Sequence, residues 1–240
     1  MAGGRMRPRL LDLFCGGLGA GVGYAQAGFH VHGIDRHQRR DMPNHPHVTF
    51  EKADALDALA DVQFLRTFDV IHASPPCQTH TRAKHLRDAQ GKGTDKVDLL
   101  AETRWGLERA GVPYVIENVP GAPLRADLLL CGSMFPELHV YDDTGRRWLQ
   151  RHRVFESNVD LGPQPECRHR AAGVRPLGVY ASKADNIPSG GQTCRTLEEG
   201  RALMGIPWMS WAALVEAIPP AYTRHLSAPL LGALVEREAA

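Results

Sequence analysis

The sequence predicts an α/β domain built on a mostly parallel sheet. Three observations predict it. Short apolar runs alternate with helix-like segments through the first half of the chain. A glycine-rich loop follows the first run. The next two runs each end on an acidic residue.

Arg9-Leu-Leu-Asp-Leu-Phe14 reads as the first strand. It runs into Cys15-Gly-Gly-Leu-Gly-Ala-Gly-Val-Gly23 and a helix-like segment to Ala27, stopped by Gly28. Phe29 to Ile34 is the second strand, closing on Asp35. Val48 to Ala53 is the third, with Asp54 after it. Phe68 to Ala73 is the fourth. Leu99 to Ala110 has a helical pattern, and Pro113 to Val119 is the next strand. This order implies βαβ units and a sheet covered on both faces. The pattern changes near Pro136. Leu138 to Ala181 is rich in Arg, His, Gly and Pro and reads as an insertion or small subdomain. Regularity returns with a helix over Arg195–Gly205, with Thr196 as N-cap and Glu199 three residues on. Further helices are expected over Ser210–Ala217 and from Ile218 onward. The organisation is therefore a main unit over 1–135, a small contact region over 136–194, and a segment over 195–240 that completes the main unit.

At 240 residues the chain is long enough for one domain with a small appendage. Its formal charge of +1 gives no global basic field, so nucleic-acid binding must rest on local patches. The candidates are Arg146, Arg147, Arg151, His152 and Arg153, then Arg168, His169, Arg170 and Arg175. A solvated arginine-rich surface is the competing reading. No apolar stretch approaches the ~20 residues of a membrane span. The five cysteines are widely spaced, and no signal peptide is visible. The protein is expected to be reduced and cytoplasmic. Cys167-x-His169 is half of a zinc pattern, but no CxxC pair completes it, so no metal is expected.

Two motifs carry the chemistry. Ser74-Pro-Pro-Cys-Gln78 follows the fourth strand. Each proline fixes its own φ and restrains the residue before it, so Cys77 is a thiol on a stiffened loop. Glu117-Asn118-Val119 ends the fifth strand. A thiol and a carboxylate at two strand ends suggest a nucleophile and its partner in one crevice. The glycine loop fits the dinucleotide fingerprint poorly, since Gly17 and Gly19 are followed by Val22 where a third glycine belongs. Asp35 is placed to hold ribose hydroxyls and Asp54 an adenine amino group, although either could be a helix cap or loop acid.

Together these segments resemble the AdoMet-dependent DNA cytosine-C5 methyltransferases. Asp12-Leu-Phe-Cys-Gly16 resembles that family's first motif, Ser74 to Gln78 its catalytic loop, Glu117-Asn-Val119 its ENV motif, and Gln150-Arg-His-Arg-Val-Phe155 its arginine motif. Arg195-Thr-Leu onward resembles the ninth motif and Glu216-Ala-Ile-Pro-Pro220 a divergent tenth. The ordered match covers nearly the whole chain, and compact phage-type members look most similar. The resemblance implies a Rossmann-like AdoMet-dependent methyltransferase fold with a small target-recognition insertion. It implies Cys77, Glu117, Arg151 and Arg153 as catalytic residues. Phe14, Gly16, Gly17, Gly19, Asp35, Asp54 and Pro76 would contact S-adenosyl-L-methionine. DNA is the implied partner, as a duplex with a flipped cytosine or as a single strand, and the chain would act as a monomer.

Three departures stand out. Leu18 occupies a usual glycine position. Glu216-Ala217 replace a usual Gly-Asn pair, which opens the question of a modified AdoMet donor. The stretch between Phe155 and Arg195 is short for a target-recognition region, so sequence specificity should be short, relaxed or absent.

The chemistry implied by the resemblance begins with addition of the Cys77 thiolate to cytosine C6, making C5 nucleophilic. Glu117 would hold the N3 and amino edge. Arg153 would sit near O2 and the sulfur, and Arg151 would support Glu117 or a phosphate. Trp148 and Tyr180 could stack on bases or pack in the core. Cys15 and Cys131 read as packing thiols. Thr79, Thr81, His80 and His85 flank the catalytic loop. The rival readings are cytosine methylation in RNA or a free nucleotide, an inactive DNA-binding or AdoMet-sensing module, and a thiol oxidoreductase.

Overall fold

A computed structural model describes residues 6–76, 99–143, 145–180 and 192–239. Cys77, Gln78, Thr79, His80, Thr81 and His85 lie outside the described residues. The strands of the main sheet are β1 (Arg9–Leu13), β2 (His30–Asp35), β3 (Val48–Lys52), β4 (Val70–Ala73), β5 (Tyr114–Asn118), β6 (Leu128–Leu130) and β9 (Arg153–Ser157). Their spatial order is β3-β2-β1-β4-β5-β9-β6. The first five are parallel. β9 runs antiparallel to both β5 and β6. The order reverses between β1 and β4, and in such sheets ligands bind beyond the carboxyl ends at that reversal.

Side-chain alternation splits each central strand between two cores. Leu10, Val31, Val70 and Val115 face α1 (Gly19–Gln26) and α7 (Pro220–Ala239). Leu11, Leu13, Ile34, Ile71, Ala73 and Ile116 face α2 (Ala55–Ala60), α3 (Val62–Leu65) and α4 (Leu100–Ala110). The sheet is thus covered on both faces, as the strand–helix alternation predicts. The last helices before α7 are α5 (Leu197–Met204) and α6 (Trp211–Leu214). The Thr196 cap forms, its hydroxyl accepting from Glu199 N at 3.1 Å, while Glu199 accepts from Arg195 N at 2.7 Å.

A second sheet orders β7 (His139–Asp142), β8 (Gly145–Leu149), β10 (Arg175–Gly178) and β11 (Gln192–Thr193) as β11-β10-β8-β7. The region 136–194 therefore serves both sheets, since β9 returns to the main one. Its strands carry Arg, His and Pro rather than an apolar alternation, so the sequence alone does not reveal them. Among the described residues, no helix is long and apolar enough to cross a membrane.

Candidate active site

The carboxyl edge of the main sheet opens into a cavity of about 450 Å³. All seven residues expected to contact a cofactor line it: Phe14, Gly16, Gly17, Gly19, Asp35, Asp54 and Pro76. Glu117 and Arg153 line it as well.

The loop from β1 to α1 forms one wall. Phe14 and Leu18 both adopt positive φ, at 58° and 62°. Such backbone costs a non-glycine residue about 1–3 kcal/mol and tends to persist at functional sites. At Leu18 this explains why a glycine suits the position in the resembled family. Here the side chain is buried, and it fills the space that a Cβ on Gly33 would need, 2.4 Å from Leu18 Cδ2. The C-terminal segment fixes the loop from behind. Trp208 Nε1 donates to Gly17 O at 3.0 Å, and Met209 lies against Gly17. A Cβ on Gly16 would meet nothing within 4 Å, leaving its backbone open to the cavity.

The acids are held at strand ends. Asp35 accepts from Gly16 N at 3.0 Å and from His37 N at 2.8 Å. Asp54 caps α2 through Leu56 N at 3.0 Å and pairs with Arg36 at 2.8 Å. Asp54 therefore is a helix cap, and the cap is what fixes its carboxylate at the cavity rim. Arg39 and Glu216 form an ion pair at 2.5 Å, and both line the cavity. The Glu216 departure thus places a carboxylate directly at the rim.

Asp12 stands in the sequence only as the start of a motif, yet it is a strongly perturbed acid of the cavity. It is fully buried beside the Gly21 backbone, and burial pushes its pKa up to about 8, with Asp35 adding to the rise and Gly21 N–H opposing it. Below that value the free protein holds Asp12 as a neutral carboxyl, and a cationic group bound beside it would favour its ionised form.

Glu117 and Arg153 meet at 2.7 Å, Oε1 to Nε, with both side chains nearly buried. The approach is that of an ion pair without hydrogen-bond alignment, and Oε1 is left with no hydrogen-bond donor among the described residues. Burial raises the Glu117 pKa against the pull of Arg153 and Arg151. Arg153 Nη1 also donates to His152 O at 2.8 Å.

Asn118 has a role that the motif did not reveal. Its Nδ2 donates to Pro75 O at 3.1 Å, and its Oδ1 accepts from Val119 N at 2.9 Å. The end of β5 thereby grips the strand end that leads to Cys77. Behind it, Tyr24 Oη meets His72 Nδ1 at 3.0 Å, and His72 Nε2 meets Ser74 Oγ at 2.9 Å. Burial drops the His72 pKa to about 3, so the ring is neutral.

Arg151 does not line the cavity, yet its charge still acts on Glu117. It is buried, donating to Val179 O at 3.2 Å and Val215 O at 2.9 Å. It backs the site by tying the small sheet to α6. Burial lowers its pKa to about 9, with Arg153 adding to the effect. The arginine patch also shrinks. Arg147 is buried against Asp142 at 2.8 Å, and Arg175 reaches Asp142 at 3.2 Å. Arg146, Arg168 and Arg170 remain exposed. Arg146 lies over the rings of Tyr141 and Trp148. Tyr180 is turned inward, with its Oη donating to Gln150 O at 3.2 Å, whereas Tyr141 is an exposed aromatic on this sheet. Cys15 and Cys194 are buried, and burial raises both thiol pKa values.

No family model matches the sequence, and no curated protein matches it. Solved structures do match. A triple mutant of DNMT2 from Spodoptera frugiperda aligns over 93% of this chain and 99% of its own, with a TM-score of 0.55 at 14% identity. The Entamoeba histolytica methyltransferase EhMeth aligns over 95% and 99%, with a TM-score of 0.52 at 11% identity. The S. pombe Dnmt2 methyltransferase aligns over 96% and 99%, with a TM-score of 0.52 at 11% identity. The chain has the fold of these methyltransferases.

Proposed function

We propose that this protein transfers a methyl group from AdoMet to C5 of cytosine in DNA through a covalent Cys77–C6 adduct. The observation that carries the reading is the pairing of Glu117 and Arg153 in the wall of the cavity that Asp12, Asp35 and Asp54 also line. The cavity's residues suit the donor. Asp35 and Asp54 would hold its ribose and adenine, Phe14 and Pro76 would pack on it, and the open backbone at Gly16 admits close approach. Asp12, a neutral carboxyl in the free protein, would ionise beside the donor's cationic part. When bound, AdoMet would supply a methyl group on a sulfonium.

The chain's own residues do the rest. The Cys77 thiolate adds to C6, and the new S–C6 bond makes C5 electron-rich. Glu117, its pKa raised by burial, holds a proton at N3 and accepts from the amino group as C6 is attacked. Arg153 stands beside it to stabilise negative charge at O2. After C5 has taken the methyl group, loss of its proton expels the thiolate and restores the ring. A duplex hides C5 and C6 in the base stack, so the cytosine flips out or arrives single-stranded.

Nucleoside mass spectrometry tests this. Duplex and single-stranded DNA, RNA and free cytidine nucleotides are incubated with AdoMet and either wild type or Cys77→Ser. Methylcytosine in DNA, lost in the variant, is the expected result. Product in RNA or nucleotides alone moves the substrate there, the second reading, which the short recognition segment favours. No product from folded protein with AdoMet bound supports a silent binding module or a modified donor instead, and overturns the proposal.

A further inference from the structure

Four metal-ligand side chains from separate parts of the chain converge at the flank of the main sheet. Cys131 follows β6 and opens the short 3₁₀ turn Gly132–Met134. His152 immediately precedes β9. Cys167 and His169 lie on the connection 158–174, which contains no helix or strand. One ligand atom from each of the four lies within 4.8 Å of the other three. Cys167 Sγ is 3.5 Å from His152 Nε2 and 2.8 Å from His169 Nδ1. Cys131 Sγ is 3.7 Å from His169 Nδ1.

The separations of 3.5 and 3.7 Å are those of a small tetrahedral ion, and the 2.8 Å pair would open by less than about 1 Å around it. Zinc–sulfur and zinc–nitrogen bonds of about 2.3 and 2.0 Å give sulfur–nitrogen edges of about 3.5 Å. Two thiolates and two imidazoles are the ligand types that select Zn²⁺ over hard cations. We propose that Cys131, His152, Cys167 and His169 bind one Zn²⁺ as a structural site. Four protein ligands fill the tetrahedron and leave no open position for a reacting water.

Two further observations support the assignment. The thiols have outer partners of the kind that orient metal ligands. Ser133 Oγ lies 3.5 Å from Cys131 Sγ and 3.8 Å from Cys167 Sγ, and it accepts from Arg168 N at 3.2 Å. The Cys131 side chain also accepts from the backbone N–H of Met134. Second, a connection as long as 158–174 without secondary structure needs an anchor if it is to be ordered. The ion supplies one by tying Cys167 and His169 to the ends of β6 and β9. It also bears on the site already described. His152 sits between Arg151, which backs the cavity, and Arg153, which pairs with Glu117 and donates to His152 O. Fixing the His152 ring fixes the backbone that presents Arg153.

The Cys167-x-His169 half of the set is visible in the sequence. Cys131 and His152 are not, because only the antiparallel pairing of β6 with β9 brings them together. The assignment does not depend on which base the enzyme modifies.

The test uses the reduced, full-length chain. Zinc is measured by elemental mass spectrometry after purification without chelator. The stripped protein is then titrated with Zn²⁺ against a competing chelator, and with Co²⁺ as a visible-absorbing probe. One equivalent per chain is expected, with the intense absorption of a tetrahedral thiolate–cobalt complex. Cys167→Ser and His169→Ala should each weaken binding beyond the ~10–100-fold typical of losing an outer partner. Cys194→Ser, at a buried cysteine that is not among the four ligands, should bind as wild type does. The cobalt spectrum of the wild type decides the question even if the variants misfold. No uptake of either ion overturns the proposal. So does binding unchanged in both folded variants, or a Cys131–Cys167 disulfide in the protein as isolated.

Discussion

At the scale of single residues, the cavity holds two acids whose protons do different work. Glu117 is ion-paired with Arg153 at 2.7 Å and has a raised pKa. Glu117→Gln keeps the shape, and the amide can still donate to N3, but it cannot deliver or accept a proton. The expected outcome is a fall in kcat on the order of 100-fold or more with the fold intact, read by initial rates and circular dichroism. Asp12 bears on stability. Its pKa rises from 3.8 to about 8, so the folded state keeps a proton that the unfolded state has released. Its contribution to stability therefore falls as pH rises from about 4 to 8. His72 acts in the opposite sense. Its pKa falls from 6.5 to about 3, so its contribution is lost as pH drops below 6.5. The two slopes offset each other between about pH 4 and 6.5, and only the Asp12 slope survives from about 6.5 to 8. Urea unfolding should show the wild type losing stability over that upper window. Asp12→Asn should remove that decline and be more stable at pH 8. A variant that keeps the wild-type slope would place the titrating group elsewhere.

At the scale of elements, the cavity depends on how closely α1 meets the start of α7. Gly19 and Gly23 stand one helical turn apart, and a Cβ on them would lie 2.5 Å from Ile218 O and 2.1 Å from Pro220 O. Those neighbours are backbone and cannot rotate away. Gly23→Ala should cost about 1–3 kcal/mol, seen as a lower thermal midpoint, through overpacking alone. Because α1 begins at the cofactor loop, the same variant should also raise the KM for AdoMet. Thr196→Ala should cost only about 1 kcal/mol, since it removes a cap from an exposed helix start and moves no backbone. Equal effects from the two variants would show that α1 and α7 do not pack tightly.

At the scale of the whole molecule, a formal charge of +1 leaves nucleic-acid binding to local cations. Arg147, Arg151 and Arg153 are committed to internal partners: Asp142, backbone carbonyls and Glu117. Arg146 is exposed on the small sheet beside the exposed Tyr141, and Arg168 and Arg170 are exposed on the connection 158–174. Replacing these three with alanine should flatten the slope of log K against log salt for DNA by about 0.9 for each phosphate no longer neutralised. Methyl transfer within the bound complex should be unchanged. Fluorescence anisotropy across a salt series measures the first and single-turnover kinetics the second. A slope that does not change would assign phosphate binding to another surface.

The sequence by itself determined the α/β architecture and the ligand-bearing ends of the first strands, because strand alternation, glycine punctuation and strand-closing acids are local patterns. It also named Glu117 and Arg153, since each sits in a short motif. The tertiary structure decided what depends on distant segments meeting. It assigned Arg151 to buried carbonyls rather than the cavity, because only packing shows which of two nearby arginines faces the opening. It exposed Asn118 as the grip on Pro75 and Asp12 as a fully buried acid, because desolvation and strand adjacency are not written in residue spacing. It built the small sheet from strands that carry arginine and proline in place of an apolar period. Above all it brought Cys131 and His152 to Cys167 and His169. Metal ligands are selected by distances of a few ångströms, and the pairing of distant strands sets those distances.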